Sequence, residues 1–192
     1  MIESHEGREE RQIRIETLRG GVEGFLHTNS MVRTLDEVNV VTGNFLTLHS
    51  PRSYSGEWKL DGGPLAISKS STLFVMEMAA PAARARRRGD AVRFSRSPVR
   101  LWVKQVSVQG FVHVPPGGTA MSRLNQSSHD FMALTSVSVV GPNFEFATPF
   151  LAVNRAFISA AQEIRPEHVD DDLVSPKELE SATASARDHS DS

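Results

Sequence analysis

Two histidines stand at matching places in the chain, His27 after Gly24-Phe25-Leu26 and His113 after Gly110-Phe111-Val112, and a third sits in Ser127-Ser128-His129-Asp130. Imidazoles could ligate a metal or move a proton. A metal site needs further Cys, His or carboxylate donors at ligand spacing, and neither His27 nor His113 has them close by in the sequence. A Ser-His-Asp set needs each side chain to reach the next, whereas neighbours on a strand, such as His129 and Asp130, point apart. There is no Gly-x-Ser-x-Gly elbow, phosphate-binding loop or dinucleotide fingerprint, and Gly62-Gly63-Pro64 and Pro116-Gly117-Gly118 read as turns. The sequence therefore predicts a non-enzymatic protein with no cofactor and no metal.

The other chemistry on offer is charge. Arg84, Arg86, Arg87 and Arg88 could engage phosphates and give salt-sensitive nucleic-acid binding, or contact an acidic partner. Between Arg84 and Lys104 eight basic residues face one acid, Asp90, while from Glu163 to Ser192 nine acids face three bases. Such asymmetry speaks to partners and solubility and not to fold. Against nucleic acid stand a net charge of −2 and only one Tyr and two Trp to stack bases.

These groups must be positioned by a chain that repeats itself. Slid 86 positions, Arg14–Lys69 matches the second half without a gap at 11 of 56 positions, which is enough to expect two units with a common backbone path. Phe45-Leu46-Thr47-Leu48 falls on Phe131-Met132-Ala133-Leu134, Leu65-Ala66-Ile67 on Leu151-Ala152-Val153, and Asn39 on Asn125. In each half an alternating strand (Ile13–Glu16, Leu101–Val103) is followed by a second (Val22–His27, Val106–Val114). A helical turn then carries two apolar residues three apart (Leu35 and Val38, Met121 and Leu124), closed by the matched asparagine. Asn39 and Asn125 are expected to be turn residues bonded to local backbone, and Phe25, Phe111, Phe45 and Phe131 to be core. Further strands are predicted at Phe45–His49 and Phe131–Val140, at Trp58–Leu60 and Phe144–Phe146, at Leu65–Ile67 and Leu151–Val153, and at Leu73–Met78 with a shifted counterpart near Phe157–Ile164.

The order β-β-short α-β-β-β, met twice, predicts a mainly β protein of two tandem small β-barrel-like (SH3/Sm-like) units. Each has about five strands and one short helix, and curling removes the sheet edges. The boundaries follow from composition. Residues 1–11 read as a flexible N-terminal arm, 12–78 as the first β-rich repeat, 79–99 as a basic Ala/Arg linker with a short helix at Pro81–Gly89, 100–164 as the second repeat, and 165–192 as a disordered acidic tail. Within the tail, Ser175-Pro176-Lys177-Glu178 is a capping-box pattern.

Val108–Asn154, with Gly110-Phe111-Val112-His113-Val114-Pro115-Pro116-Gly117-Gly118, Ser122-Arg123-Leu124-Asn125 and Phe131-Met132-Ala133-Leu134-Thr135, resembles a bacterial family of domains of unknown function. Its members are single strand-rich units with a Ser-Asp-x-Leu-Asn signature after a Pro/Gly loop; Arg123 stands where that family tends to have aspartate. Gly110-Phe111, Leu124-Asn125 and Phe131–Leu134 are also similar to the pattern of Sm-like small barrels, which implies loops or edges that bind RNA or protein.

No cysteine is present, the first residues are polar, and no run approaches the roughly 20 apolar residues of a membrane helix. The expectation is a bacterial cytoplasmic adaptor or regulatory scaffold subunit that binds another protein, with no membrane contact and with room for a homo-oligomer. RNA binding through an Sm-like barrel and Arg84–Arg88 is the alternative.

Overall fold

The structure is a computed structural model that describes residues 8–29, 32–40, 43–56, 58–78, 94–126 and 129–164. It is mainly β. The strands are β1 (Arg8–Thr17), β2 (Gly20–Asn29), β3 (Phe45–Ser53), β4 (Leu65–Ser68), β5 (Thr72–Glu77), β6 (Ser95–Val103), β7 (Val106–Val114), β8 (Phe131–Val140), β9 (Glu145–Asn154) and β10 (Ile158–Glu163). Helix α1 (Thr34–Val40) precedes β3, and α2 (Ala120–Gln126) precedes β8. Single 3-10 turns at Lys69–Ser71 and Arg155–Phe157 lead into β5 and β10.

These bounds recur at the sequence offset: α1 falls on α2, the first 3-10 turn on the second, and β5 on β10. Hydrogen bonds recur with them. Lys69 N–H donates to the Asn44 carbonyl at 2.9 Å and Arg155 N–H to that of Asp130 at 2.8 Å; Met78 N–H reaches Gln12 and Ile164 N–H reaches Pro98, both at 3.0 Å. β10 thus needs no shift from β5. Trp58–Leu60 is not a strand although its counterpart Phe146 lies in β9, because Gly62, at φ +84°, and Pro64 interrupt the first half there.

The described residues fall into two compact units. One draws on Met1–Ala91, Ser127–Ala133 and Leu151–Phe157; the other on Val92–Gln126, Leu134–Phe150 and Ile158–Ser192. In the first, hydrogen-bonded neighbours run β9-β5-β1-β2-β3-β4; in the second, β10-β6-β7-β8-β9. Every described register is antiparallel. Strand alternation places Ile13 and Ile15 of β1, Val22 of β2, Leu46 and Leu48 of β3 and Phe74 of β5 in the first core. The second core is built from Val99, Leu101 and Val103 of β6, Val108 and Val112 of β7 and Leu134, Val137 and Val139 of β8.

β3 and β8 each bend at a serine held at positive φ, Ser50 at 48° and Ser136 at 49°. Ahead of its bend β3 pairs with β4; beyond it, Arg52 and Ser53 pair with β2. Opposite the bend β2 shifts register around Gly24, where a Cβ would lie 2.8 Å from the His49 carbonyl oxygen, so only glycine lets the strands approach.

Three expectations are corrected. β6 begins at Ser95, inside the segment 79–99 expected as a linker, because Ser95–Val99 pair with Gly110–Val114. The strand order is open: β5 does not return to β4, because its second edge is taken by Leu151–Val153 of β9, so the edge that barrel closure would have removed is covered by another strand. β1 also begins at Arg8, inside the segment expected as an arm, because Arg8–Arg11 pair with Leu26–Asn29. Arg11 is buried there, its guanidinium donating to the Thr34 hydroxyl at 3.0 Å and to the Val32 carbonyl. The expected linker helix at Pro81–Gly89, residues 165–192 and residues 1–7 lie outside the described residues.

Candidate functional site

The most elaborated feature of the first unit is the joint where β9 meets β5. Leu151, Ala152 and Val153 sit opposite Met76, Val75 and Phe74, and all six side chains are buried. Burying a large aliphatic or aromatic side chain stabilises by roughly 1.5–3 kcal/mol, so this short ladder is held by its side chains as much as by its backbone bonds. Asn154, 3% exposed, follows in the same strand and donates to the carbonyls of Lys69 and Thr72, each at 2.9 Å. Both carbonyls belong to the 3-10 turn and its C-cap, and that of Lys69 also accepts from the Thr72 N–H.

From α1, Asn39 completes the joint. Its amide nitrogen donates to the Phe131 carbonyl at 3.0 Å and its oxygen accepts from the Phe131 N–H at 2.9 Å. The expected local turn bond of Asn39 is thereby corrected: a primary amide can satisfy both backbone groups of one residue, and it does so 92 positions away. Asn125 is exposed in the last turn of α2. Of the matched phenylalanines, Phe131 is buried at 1% exposure, whereas Phe45, expected in the core, is 53% exposed at the start of β3.

The joint leaves two ladder ends. Among the described residues β4 pairs only with β3, and β10 only with β6. Neither end carries Lys or Pro within its strand, the residues that usually blunt an edge.

The histidines lie elsewhere on their strands. In the first unit His27 meets Glu10 of β1 at 3.0 Å and stacks on His49 of β3, with rings parallel within 4° and centroids 3.9 Å apart. On the same sheet, Arg14 pairs with Glu23 at 3.1 Å and lies 4.1 Å over the Tyr54 ring, whose hydroxyl donates to Glu16. Burial holds the Glu16 carboxyl above its ordinary value, against the Tyr54 hydrogen bond and the Arg14 charge, which pull it down; burial and the Glu16 carboxylate push the Tyr54 phenol up.

In the second unit His113 meets the Thr135 hydroxyl at 3.1 Å, and Arg96 takes the place of Glu10. Arg96 lies 4.1 Å over the Phe111 ring and donates to the Ser136 hydroxyl at 2.9 Å. Partial desolvation, and then the Arg96 charge, hold His113 below its ordinary 6.5. The matched imidazoles therefore sit in opposite fields.

His129 and Asp130 lie exposed in the bend before β8, and both lend a backbone carbonyl to Arg155. Ser127 and Ser128, and the four arginines Arg84, Arg86, Arg87 and Arg88, lie outside the described residues. Among the described residues no group of three His, Cys, Asp or Glu side chains could hold a metal ion, and no helix is long and apolar enough to cross a membrane.

Sequence reading missed Asn154, Glu77 and Glu163. Glu163 accepts from the N–H groups of Ala120 and Met121 at 2.7 and 3.3 Å, and Glu77 accepts from the Thr34 hydroxyl at the matching helix start. The signal was present: the two glutamates are one repeat apart and each is followed by an apolar residue, Met78 or Ile164. Set against protein-family models, curated proteins and solved structures, the chain matches none.

Proposed function

We propose that this protein is a non-enzymatic scaffold of the bacterial cytoplasm that works by holding other polypeptide against its sheet edges. One observation carries the reading: β4 and β10 each offer a ladder edge without Lys or Pro, and the first has the exposed Phe45 ring beside it. An extended segment adding to such an edge gains main-chain hydrogen bonds for affinity, while side-chain pockets along the strand supply selectivity. The two edges come from strands that do not match each other in the 86-residue offset, β4 matching the end of β9 and β10 matching β5, so one chain presents two different edges, which suits a subunit that bridges unlike segments.

A photo-reactive phenylalanine analogue placed at Phe45, or at Ser159 in β10, tests this in the native cell. The expected result is crosslinking to polypeptide at both positions, well above that from an analogue placed at the exposed Leu18 at the β1–β2 turn. Background crosslinking at both edge positions would overturn the reading. Crosslinks to RNA alone would replace it with the nucleic-acid alternative, which the Arg84–Arg88 cluster supplies.

A further inference from the structure

The two halves repeat their strands but clothe the outer sheet faces with different chemistry. In the first unit the polar groups of that face pair with carboxylates: Arg14 with Glu23, His27 with Glu10 and the Tyr54 hydroxyl with Glu16. At the 86-residue offset those three glutamates become Gln109, Arg96 and Trp102, while Arg14 is kept as Arg100. β6, β7 and β8 hold no Asp or Glu at all. In β10 the single acid, Glu163, pairs with the buried Val99, and its carboxylate serves the α2 amides. The net charge of −2 is an average over the chain, and this face is positive.

Alternation turns Val99, Leu101 and Val103 inward, so Arg96, Arg100 and Trp102 of β6 share the outer face with Phe111 and His113 of β7 and Thr135 of β8. Arg96 and His113 are exposed there, and Arg100, Trp102 and Phe111 are half-buried. Arg96 is held over the Phe111 ring at 4.1 Å and by the Ser136 hydroxyl at 2.9 Å. Arg100 donates to the neutral Gln109 amide at 3.1 Å, where Arg14 has a carboxylate. Neither guanidinium is neutralised by a carboxylate of these three strands. Charge, charge and ring follow one another along β6 over about 20 Å, at roughly 3.3 Å per residue, so one strand laid along β6 meets all three.

We propose that the outer face of β6, β7 and β8 binds single-stranded nucleic acid. Trp102 stacks a base, Arg100 takes a phosphate beside it, and Arg96 takes a further one. Unpaired bases offer their planes to aromatic side chains while cations track the backbone. A duplex keeps its bases stacked on each other and leaves Trp102 unused; an acidic polypeptide would answer the arginines and leave the indole without a planar partner. The face is distinct from the strand edges, so this inference goes beyond the scaffold reading and does not depend on it.

The test titrates the full chain into labelled oligo-uridylate, labelled oligo-thymidylate and a labelled duplex, and reads anisotropy at low and moderate salt. Single strands are expected to bind more tightly than the duplex, with affinity falling as salt rises, and the tighter of the two single strands tells RNA from DNA. Arg96→Glu combined with Gln109→Glu reinstates the carboxylates that the first unit carries as Glu10 and Glu23, which its matching sheet accommodates, and is expected to lower affinity by about tenfold or more. Trp102→Ala is expected to lower it about tenfold at an unchanged salt slope, whereas Arg100→Ala should reduce that slope by about 0.7. Both effects should persist when Arg84, Arg86, Arg87 and Arg88 are all replaced by alanine. Absence of single-strand binding at low salt would overturn the proposal. So would binding that is lost with those four arginines yet indifferent to the Arg96 and Trp102 variants. Polyglutamate bound as tightly as the oligonucleotides would overturn it too, and would assign the face to acidic polypeptide. Crosslinking at the Phe45 and Ser159 edges is read separately, so the scaffold reading stands or falls on its own result.

Discussion

The side chain of Asn39 grips the backbone of Phe131 at both its N–H, 2.9 Å, and its carbonyl, 3.0 Å, joining α1 to the start of β8. Two backbone groups that a neighbouring strand would otherwise have to satisfy are met by one amide.

Asn39→Ala is expected to destabilise by about 2 kcal/mol, since leaving a buried donor or acceptor unpaired costs roughly 1–3 kcal/mol and this site is half-buried. Asn125→Ala, at an exposed position, is expected to shift the stability of the dilute chain by less than about 0.5 kcal/mol. Urea unfolding at low protein concentration compares them; equal losses would remove the distinction between the two asparagines.

Thr28, at 1% exposure, has a buried hydroxyl with no hydrogen-bond partner, and its counterpart in the second half is the buried Val114. Thr28→Val keeps the shape and removes the unsatisfied group, so a gain of about 1 kcal/mol is expected. A lower melting temperature for the valine variant would show that the hydroxyl is satisfied after all.

Glu163 caps α2 through the Ala120 and Met121 amides. Losing a side-chain cap costs about 1 kcal/mol, and Glu163→Ala should show it locally, as faster hydrogen exchange at those two amides with the β6–β7 ladder still protected. Unchanged exchange there would place the cap elsewhere.

His113 sets a pH dependence. Because its pKa is lowered from 6.5 in the folded chain, the unfolded chain binds the proton more readily just below that value, and stability falls as pH drops through 6.5 toward the folded pKa. It is regained as pH returns to neutral. Arg96→Ala removes the second of the two causes, so the His113 titration followed by NMR should move upward. A titration that stays in place would leave desolvation as the whole cause.

Some of this was legible from residue order alone. The offset between Gly24-Phe25 and Gly110-Phe111 depends on nothing but residue identity, and the alternation of Ile13, Ile15 and Val22 with polar neighbours reports which strand face is inward, so helix placement and the mainly β class could be read locally, whereas the strand expected at Trp58–Leu60 is absent and those at Phe144–Phe146 and Leu151–Val153 are one. The same offset had already placed Leu65–Ile67 beside Leu151–Val153 as equals.

Tertiary structure then made those equals differ. Whether a strand closes on its own unit or is covered by another depends on which edge reaches which, a non-local outcome that two near-identical triplets leave open; hence Ala152 is buried while Ala66 is exposed, and Phe131 is enclosed while Phe45 is not. Asn39 carries the same lesson. Its amide has the same donors and acceptor whether it bonds its own turn or a strand 92 residues on, and only the fold brings Phe131 within reach.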